Sequence, residues 1–171
     1  MKTKTVYIQN DWQGKMLKPR ETVFIKLKLL PTGLEVEIQA PYFADPEPLA
    51  PPGSCDGLWD YEVVELFIAH GDQYTELELG PHGHYLLLQL KGIRKALTRN
   101  SQLTYHWEKS QEIWSGKTLI PIELLPPEPW TFNAYAIHGV DEERTYAALF
   151  AVPGDEPDFH RLHCFQNLDW D

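Results

Sequence analysis

Apolar residues recur at every second position along much of this chain, in short runs separated by Gly- and Pro-rich turns. "TVFIKLKLL" (22–30) sets Val23, Ile25, Leu27 and Leu29 against Phe24, Lys26 and Lys28. "LEVEIQA" (34–40) sets Leu34, Val36, Ile38 and Ala40 against Glu35, Glu37 and Gln39. A period of two is the signature of a half-buried strand. Gly33 in the intervening turn predicts a hairpin with Leu29 opposite Leu34, Lys28 opposite Glu35 and Lys26 opposite Glu37. Opposed charges favour that register by about 0.2–1 kcal/mol per pair.

Further strands are predicted over 57–68, 74–80, 84–92, 103–110, 112–121, 130–139 and 144–152. Their regular spacing is that of a sandwich or barrel. "PYFADPEPLAPPGSCDG" (41–57) holds five prolines and reads as a long loop. A short helix is expected over "GIRKALTRNS" (92–101), and no more than one helical turn in "PIELLPPEPW". With no repeat and no low-complexity linker, residues 1–171 read as one domain.

"GLWDYEVVELFI" (57–68) breaks the pattern, because Glu62 and Glu65 sit inside an apolar run. Their odd spacing puts them on opposite faces of a strand. A carboxylate buried without hydrogen bonds, a counter-charge or a ligand costs several kcal/mol, roughly. Glu65 shares its face with Tyr61, Val63 and Phe67, a setting suited to anchoring a hydroxyl-rich ligand. Glu62 is expected to find a base or a backbone donor on the other side.

Composition narrows the partners. A formal net charge of −10 excludes a basic stripe for nucleic acid and disfavours anionic membranes. The polar start "MKTKTVYIQNDW" shows no secretory leader, and no apolar run is long enough to span a bilayer, so a cytosolic protein is expected. In that compartment Cys55 and Cys164 are read as reduced thiols.

Other chemistry is sparse. His82 and His84 in "PHGHY" have metal-ligand spacing but lack a following acid, and read as turn histidines. His160, His163 and Cys164 in "FHRLHCF" have no second ligand pair and read as core or ion-paired residues. No metal and no cofactor is therefore expected. Glu76 and Glu78 on "YTELELG" read as a solvated strand face. Nucleotide-binding and serine-hydrolase motifs are missing.

"LWDYEVVELFI" followed by "YTELELGPHGHY", then "WSGKTLIPIELL", "FNAYAIHG" and "PDFHRLHCFQNLDW", resembles in order the family 9 carbohydrate-binding modules and the wider DOMON-like group. The chain also looks like a small family of stand-alone cytosolic proteins sharing the "GLWDYEVVE" core. The resemblance implies a β-sandwich of immunoglobulin-like or jelly-roll topology that grips a sugar end between two tryptophans. Trp59 matches the first tryptophan and Glu65 the acidic ligand residue. "AALFAVPG" stands where the second is expected, so Leu149 or Phe150 replaces it, and "LHCFQN" departs from the family's terminal motif.

The expectation is thus an all-β antiparallel sandwich of 8–11 strands. It binds a small carbohydrate or polyol without catalysis, between Trp59, Glu65 and the loop from Asp45 to Gly57. Ligand-binding candidates are Trp59, Glu65, Glu78, His82, His138 and Phe150. Two alternatives stand beside it. One is an enzyme using Glu65 or Glu78 with His82 or His138 for acid–base work, and the other a protein-interaction module anchored on Trp59 and the Pro-rich loop.

Overall fold

The computed structural model describes residues 1–99 and 101–171 and is a sandwich of two sheets. The smaller sheet orders β1 (Lys2–Ile8), β3 (Val23–Leu30), β4 (Gly33–Pro41), β11 (Ile113–Pro121) and β10 (Tyr105–Lys109) side by side. The larger orders β2 (Asn10–Asp11), β13 (Thr145–Ala148), β12 (Thr131–His138), β6 (Val63–His70), β7 (Gln73–Leu79), β8 (His84–Lys91) and β5 (Gly53–Ser54). Two short strands join that sheet: β9 (Ala96–Thr98) beside β8 and β14 (Gln166–Asn167) beside β12. Among the described residues all strand pairings are antiparallel except that of β5 with β8. Among the described residues the only helical turns are three-residue 3₁₀ turns, and no helix is long and apolar enough to cross a membrane.

The β3–β4 hairpin has the expected register, with Leu29 opposite Leu34, Lys28 opposite Glu35 and Lys26 opposite Glu37. The closest cation to Glu35, however, comes from the other neighbouring strand, Lys117 of β11 at 3.3 Å. This is a partly solvated pair. Lys117→Ala is expected to lower stability by less than about 1 kcal/mol in urea unfolding, with the difference vanishing at about 1 M salt.

Two segments depart from the sequence reading. Residues 2–8 form β1, although their polar character gave no strand signal. They pair as an edge strand along β3, where backbone hydrogen bonds suffice, and Lys4 meets Asp171 at 2.8 Å. The helix expected over 92–101 is instead a tight turn leading into β9, and position 100 lies outside the described residues. Lys91 N–H donates to Lys95 O and Lys95 N–H to Gly92 O, with Arg94 at φ +57° in the turn. That geometry cannot continue as a right-handed helix.

The larger sheet is buried on both faces. Val64, Leu66 and Ile68 of β6, with Leu77 and Leu79 of β7, face the smaller sheet and pack into the inter-sheet core around Trp114 and Phe132. Val63 and Phe67, one residue out of phase, face a second apolar cluster with Tyr74, Leu88 and Tyr135. Chain from the C-terminal region, including Val152, Phe159 and Phe165, covers that outer face. Burial on both sides explains why β6 is apolar almost throughout. Glu62, just before β6, accepts backbone N–H groups from Phe43 at 3.0 Å and Asp45 at 3.3 Å, and so tethers the start of the Pro-rich loop.

Candidate functional site

The register of one hairpin gathers the acids. A two-residue turn, Gly71–Asp72, joins β6 to β7 and pairs His70 with Gln73, which places Glu65 directly opposite Glu78. Glu76 lies two residues before Glu78 and therefore points to the same side. All three carboxyls face the outer cluster, and one oxygen from each lies within 4.8 Å of the others. They are 3%, 3% and 0% exposed for Glu65, Glu76 and Glu78. The solvated face expected for Glu76 and Glu78 is thus a buried one, because the C-terminal segment folds over it.

Above the acids lies a cavity of about 390 Å³. Glu65 and Glu76 belong to its lining, whereas Glu78 sits just behind them. Trp59, Tyr146 and Phe159 supply aromatic walls. Arg94, Arg99 and Arg144 bring three guanidinium groups to the same space. Arg94 bonds Asp158 at 2.8 Å and Arg99 bonds Asp56 at 3.2 Å. Arg144 donates to Gly139 O at 2.9 Å, Trp59 O at 2.6 Å and Tyr61 O at 3.2 Å. It thereby fixes the turn that carries Trp59 against the start of β13.

Burial governs the electrostatics. It pushes the Glu76 carboxyl up to about 7, against a hydrogen bond from Glu78 and the charges of Arg94 and Arg99. Glu65 is also raised well above its ordinary value, by burial and then by the Glu76 carboxylate, with Arg144 opposing. Glu78 is raised by burial and by both neighbouring acids. Neither oxygen of Glu78 meets an N–H or O–H donor from another residue, nor does Oε2 of Glu76. Only a proton shared between the two carboxyls joins them in the absence of a ligand.

His160 completes the floor. The Tyr74 hydroxyl accepts from Arg94 N–H at 2.9 Å and lies 2.7 Å from His160 Nδ1. Burial and then Arg94 push the imidazole down to about 4, so it is neutral near pH 7. Nδ1 and the Tyr74 hydroxyl share one hydrogen bond, and the other ring nitrogen, Nε2, lies 3.8 Å from Glu76 Oε2.

Of the residues singled out from the sequence, Trp59, Glu65 and Glu78 come together here. His82 instead faces Glu47 at 3.1 Å, and His84 bonds Ala50 O at 2.7 Å, so the two imidazoles serve the Pro-rich loop separately. His138 stacks on Phe43 with ring centroids 3.5 Å apart, beside Glu62 rather than Glu65. Phe150 packs edge-on against Phe132 at 5.4 Å in the inter-sheet core. The loop from Asp45 to Gly57 contributes no lining residue and reaches the rim through the Asp56 bond to Arg99 and through Gly57 O, which accepts Asp60 N–H at 3.1 Å. Cys55 and Cys164 are free thiols.

Sequence reasoning gave Glu76 and His160 no site role, reading them as a solvated face and a core or ion-paired residue, and did not single out the three arginines, Tyr146 or Phe159. One signal was available for the first: the two-residue "GD" turn fixes the β6–β7 register and brings Glu78 to Glu65, with Glu76 beside them. The others arrive from β9, β13 and an irregular C-terminal segment, whose approach no local pattern encodes.

The fold and its walled cavity define a two-sheet β-sandwich with a small-molecule-sized hollow on one outer face. The crystal structure of a protein from Bacteroides uniformis, described as a candidate carbohydrate-binding protein, superposes with a TM-score of 0.74. The alignment covers 96% of this chain and 84% of that one at 15% identity, which is a likeness of fold. No protein-family model matches the chain. The human UPF0462 protein C4orf33 is 39% identical over 173 residues, covering 95% of this chain and 86% of the human protein. Its Danio rerio homolog is 38% identical over 174 residues, covering 95% of this chain and 87% of the fish protein. The chain belongs to the UPF0462 family.

Proposed function

We propose that this protein is a non-catalytic binding module of DOMON-like type whose cavity takes a small hydroxyl-rich ligand, a carbohydrate or polyol. The observation that carries the reading is the convergence on one cavity of buried carboxyl acceptors, guanidinium donors and aromatic walls. Hydroxyl groups both donate and accept, so a ligand rich in them needs directional partners of both kinds. The apolar faces of a sugar ring need flat surfaces, which Trp59, Tyr146 and Phe159 supply. The cavity of about 390 Å³ falls in the range of small-molecule sites, about 300–1,000 Å³. The fold shared with the Bacteroides protein is consistent with this reading, and Tyr146 and Phe159 take the aromatic role that the family resemblance gave to Phe150.

The test is a calorimetric titration of the full chain with a panel of mono- and disaccharides and polyols. Trp59→Ala and Arg99→Ala are each expected to weaken binding at least about tenfold, equivalent to about 1.4 kcal/mol. Arg99 is exposed, so its replacement should leave thermal unfolding within about 0.5 kcal/mol of the wild type. A panel without a single binder, or binding indifferent to both substitutions, rejects the reading.

A further inference from the structure

We propose that Glu65, Glu76 and Glu78 form a site for one hard divalent cation, with Ca²⁺ the best fit, whose open coordination positions face the cavity. The inference deepens the binding role above and rests on the cavity being a ligand site.

Geometry comes first. Two oxygens on one Ca²⁺, at about 2.3–2.6 Å each, are separated by at most about 5 Å. The three carboxyl oxygens lie within 4.8 Å of one another and meet that limit as they stand. Mg²⁺, at about 2.0–2.1 Å, demands near-octahedral geometry and gives up its water reluctantly, so it suits a protein carboxylate trio less well. An all-carboxylate donor set selects hard cations over zinc or copper, which favour imidazole and thiolate.

Glu78 supplies a second, separate observation. Its side chain is fully enclosed and points into the cluster, and apart from the proton it shares with Glu76 neither oxygen meets a donor. Buried polar groups in native proteins nearly always have a partner. The acids that satisfy themselves in a fold do so visibly, as Glu62 does with two backbone N–H groups. Glu78 has been given no such donor, and a cation at the cluster meets its oxygens directly.

The arginines act on the acids through space, but their hydrogen bonds go elsewhere. Arg144 spends its guanidinium on three carbonyl oxygens, Arg94 on Asp158 and Arg99 on Asp56. His160 Nε2 stands 3.8 Å from Glu76 Oε2, outside the set formed by the three carboxyls. Glu65 and Glu76 line the cavity, so the cation enters from it and keeps positions there for water. A polyol with neighbouring hydroxyls can replace two of those waters, which joins cation and ligand in one site. This reverses the metal-free expectation drawn from the histidines alone.

The full chain, stripped with EDTA and exchanged into cation-free buffer at about pH 7.5, is titrated with CaCl₂ and MgCl₂ by calorimetry and thermal unfolding. One Ca²⁺ per chain is expected, with a rise in melting temperature and weaker binding of Mg²⁺. Glu78→Gln removes a ligand that does not line the cavity, and should reduce Ca²⁺ affinity at least about tenfold while circular dichroism stays unchanged. Glu65→Gln supplies the same comparison if Glu78→Gln fails to fold. No saturable Ca²⁺ response up to about 10 mM, well beyond the weakest protein sites, overturns the proposal, as does equal affinity in the variants. Repeating the sugar panel with EDTA and with Ca²⁺ separates the two claims. Sugar binding without any cation response rejects the cation site alone, whereas a cation response without sugar binding rejects the carbohydrate reading alone.

Discussion

Arg144→Met is expected to destabilise the protein by about 3–5 kcal/mol, because it leaves three backbone carbonyls without their charged donor. The guanidinium fork spans Gly139 O, Trp59 O and Tyr61 O, from two separate turns. Hydrogen bonds from a charged donor contribute roughly 1.5–3 kcal/mol each, and partial exposure of the Trp59 carbonyl keeps the total below their sum. Arg144→Lys tests which property matters. It retains the positive charge near Glu65 but offers a single ammonium that cannot bridge both turns, so it should recover less than half of the loss. Urea unfolding of the two variants measures this directly. A loss below about 1 kcal/mol for the methionine variant would show that the clamp is incidental.

In cation-free buffer, Glu76→Gln is expected to match the wild type near pH 5 and to exceed it in stability at pH 8. Burial holds the Glu76 carboxyl at about 7, above its ordinary value of 4.5. The folded state therefore binds this proton more tightly than the unfolded chain. The resulting stabilisation is complete below about 4.5 and is lost as pH rises through about 7. The shift is equivalent to roughly 3 kcal/mol, or about 6–12 °C in melting temperature for a chain of this length. The groups facing Glu76 are Glu65 and Glu78, whose raised values act in the same direction, with Arg94, Arg99, Tyr74 and His160. His160 acts oppositely: its lowered value withdraws stability as pH falls from about 6.5 toward about 4. Subtracting the variant's curve from that of the wild type removes most of this contribution. Melting curves from pH 5 to 8 in EDTA decide the matter, and a variant less stable at pH 8 would mean that the Glu76 carboxylate is held by a favourable partner.

How legible the molecule was depends on whether the determinant was local. Lys26, Lys28, Glu35 and Glu37 fixed their hairpin because register follows from alternation and a short turn. Glu62 and Glu65 announced themselves because acids in an apolar strand need partners, and the opposite faces assigned to them hold: Glu62 on backbone N–H groups, Glu65 toward the cavity. Glu76 and Glu78 misled, since alternation with leucines also describes a solvated face. What buries them is Phe159 and its neighbours, more than 80 residues later. Arg94 was hidden in a segment whose Lys, Ala and Leu content favours helix, where a residue at positive φ turns the chain into β9 instead. His160 carried metal-ligand spacing with His163 and Cys164, yet its partner is a tyrosine hydroxyl from another strand.

The larger sheet keeps a core on each side, and that arrangement bears on how such a protein can diverge. Along β6, Val64, Leu66 and Ile68 hold the sandwich together, while the intervening Val63, Glu65 and Phe67 face the outer cluster and the cavity. Substitutions on opposite faces share few partners, so their effects on stability should come close to adding rather than compounding. The lining of the cavity can therefore drift by changing alternate positions of β6, β7 and β8 while the scaffold beneath stays intact, and under the binding role proposed above ligand preference drifts with it. A lineage of such sandwiches could exchange one small molecule for another without passing through unfolded intermediates.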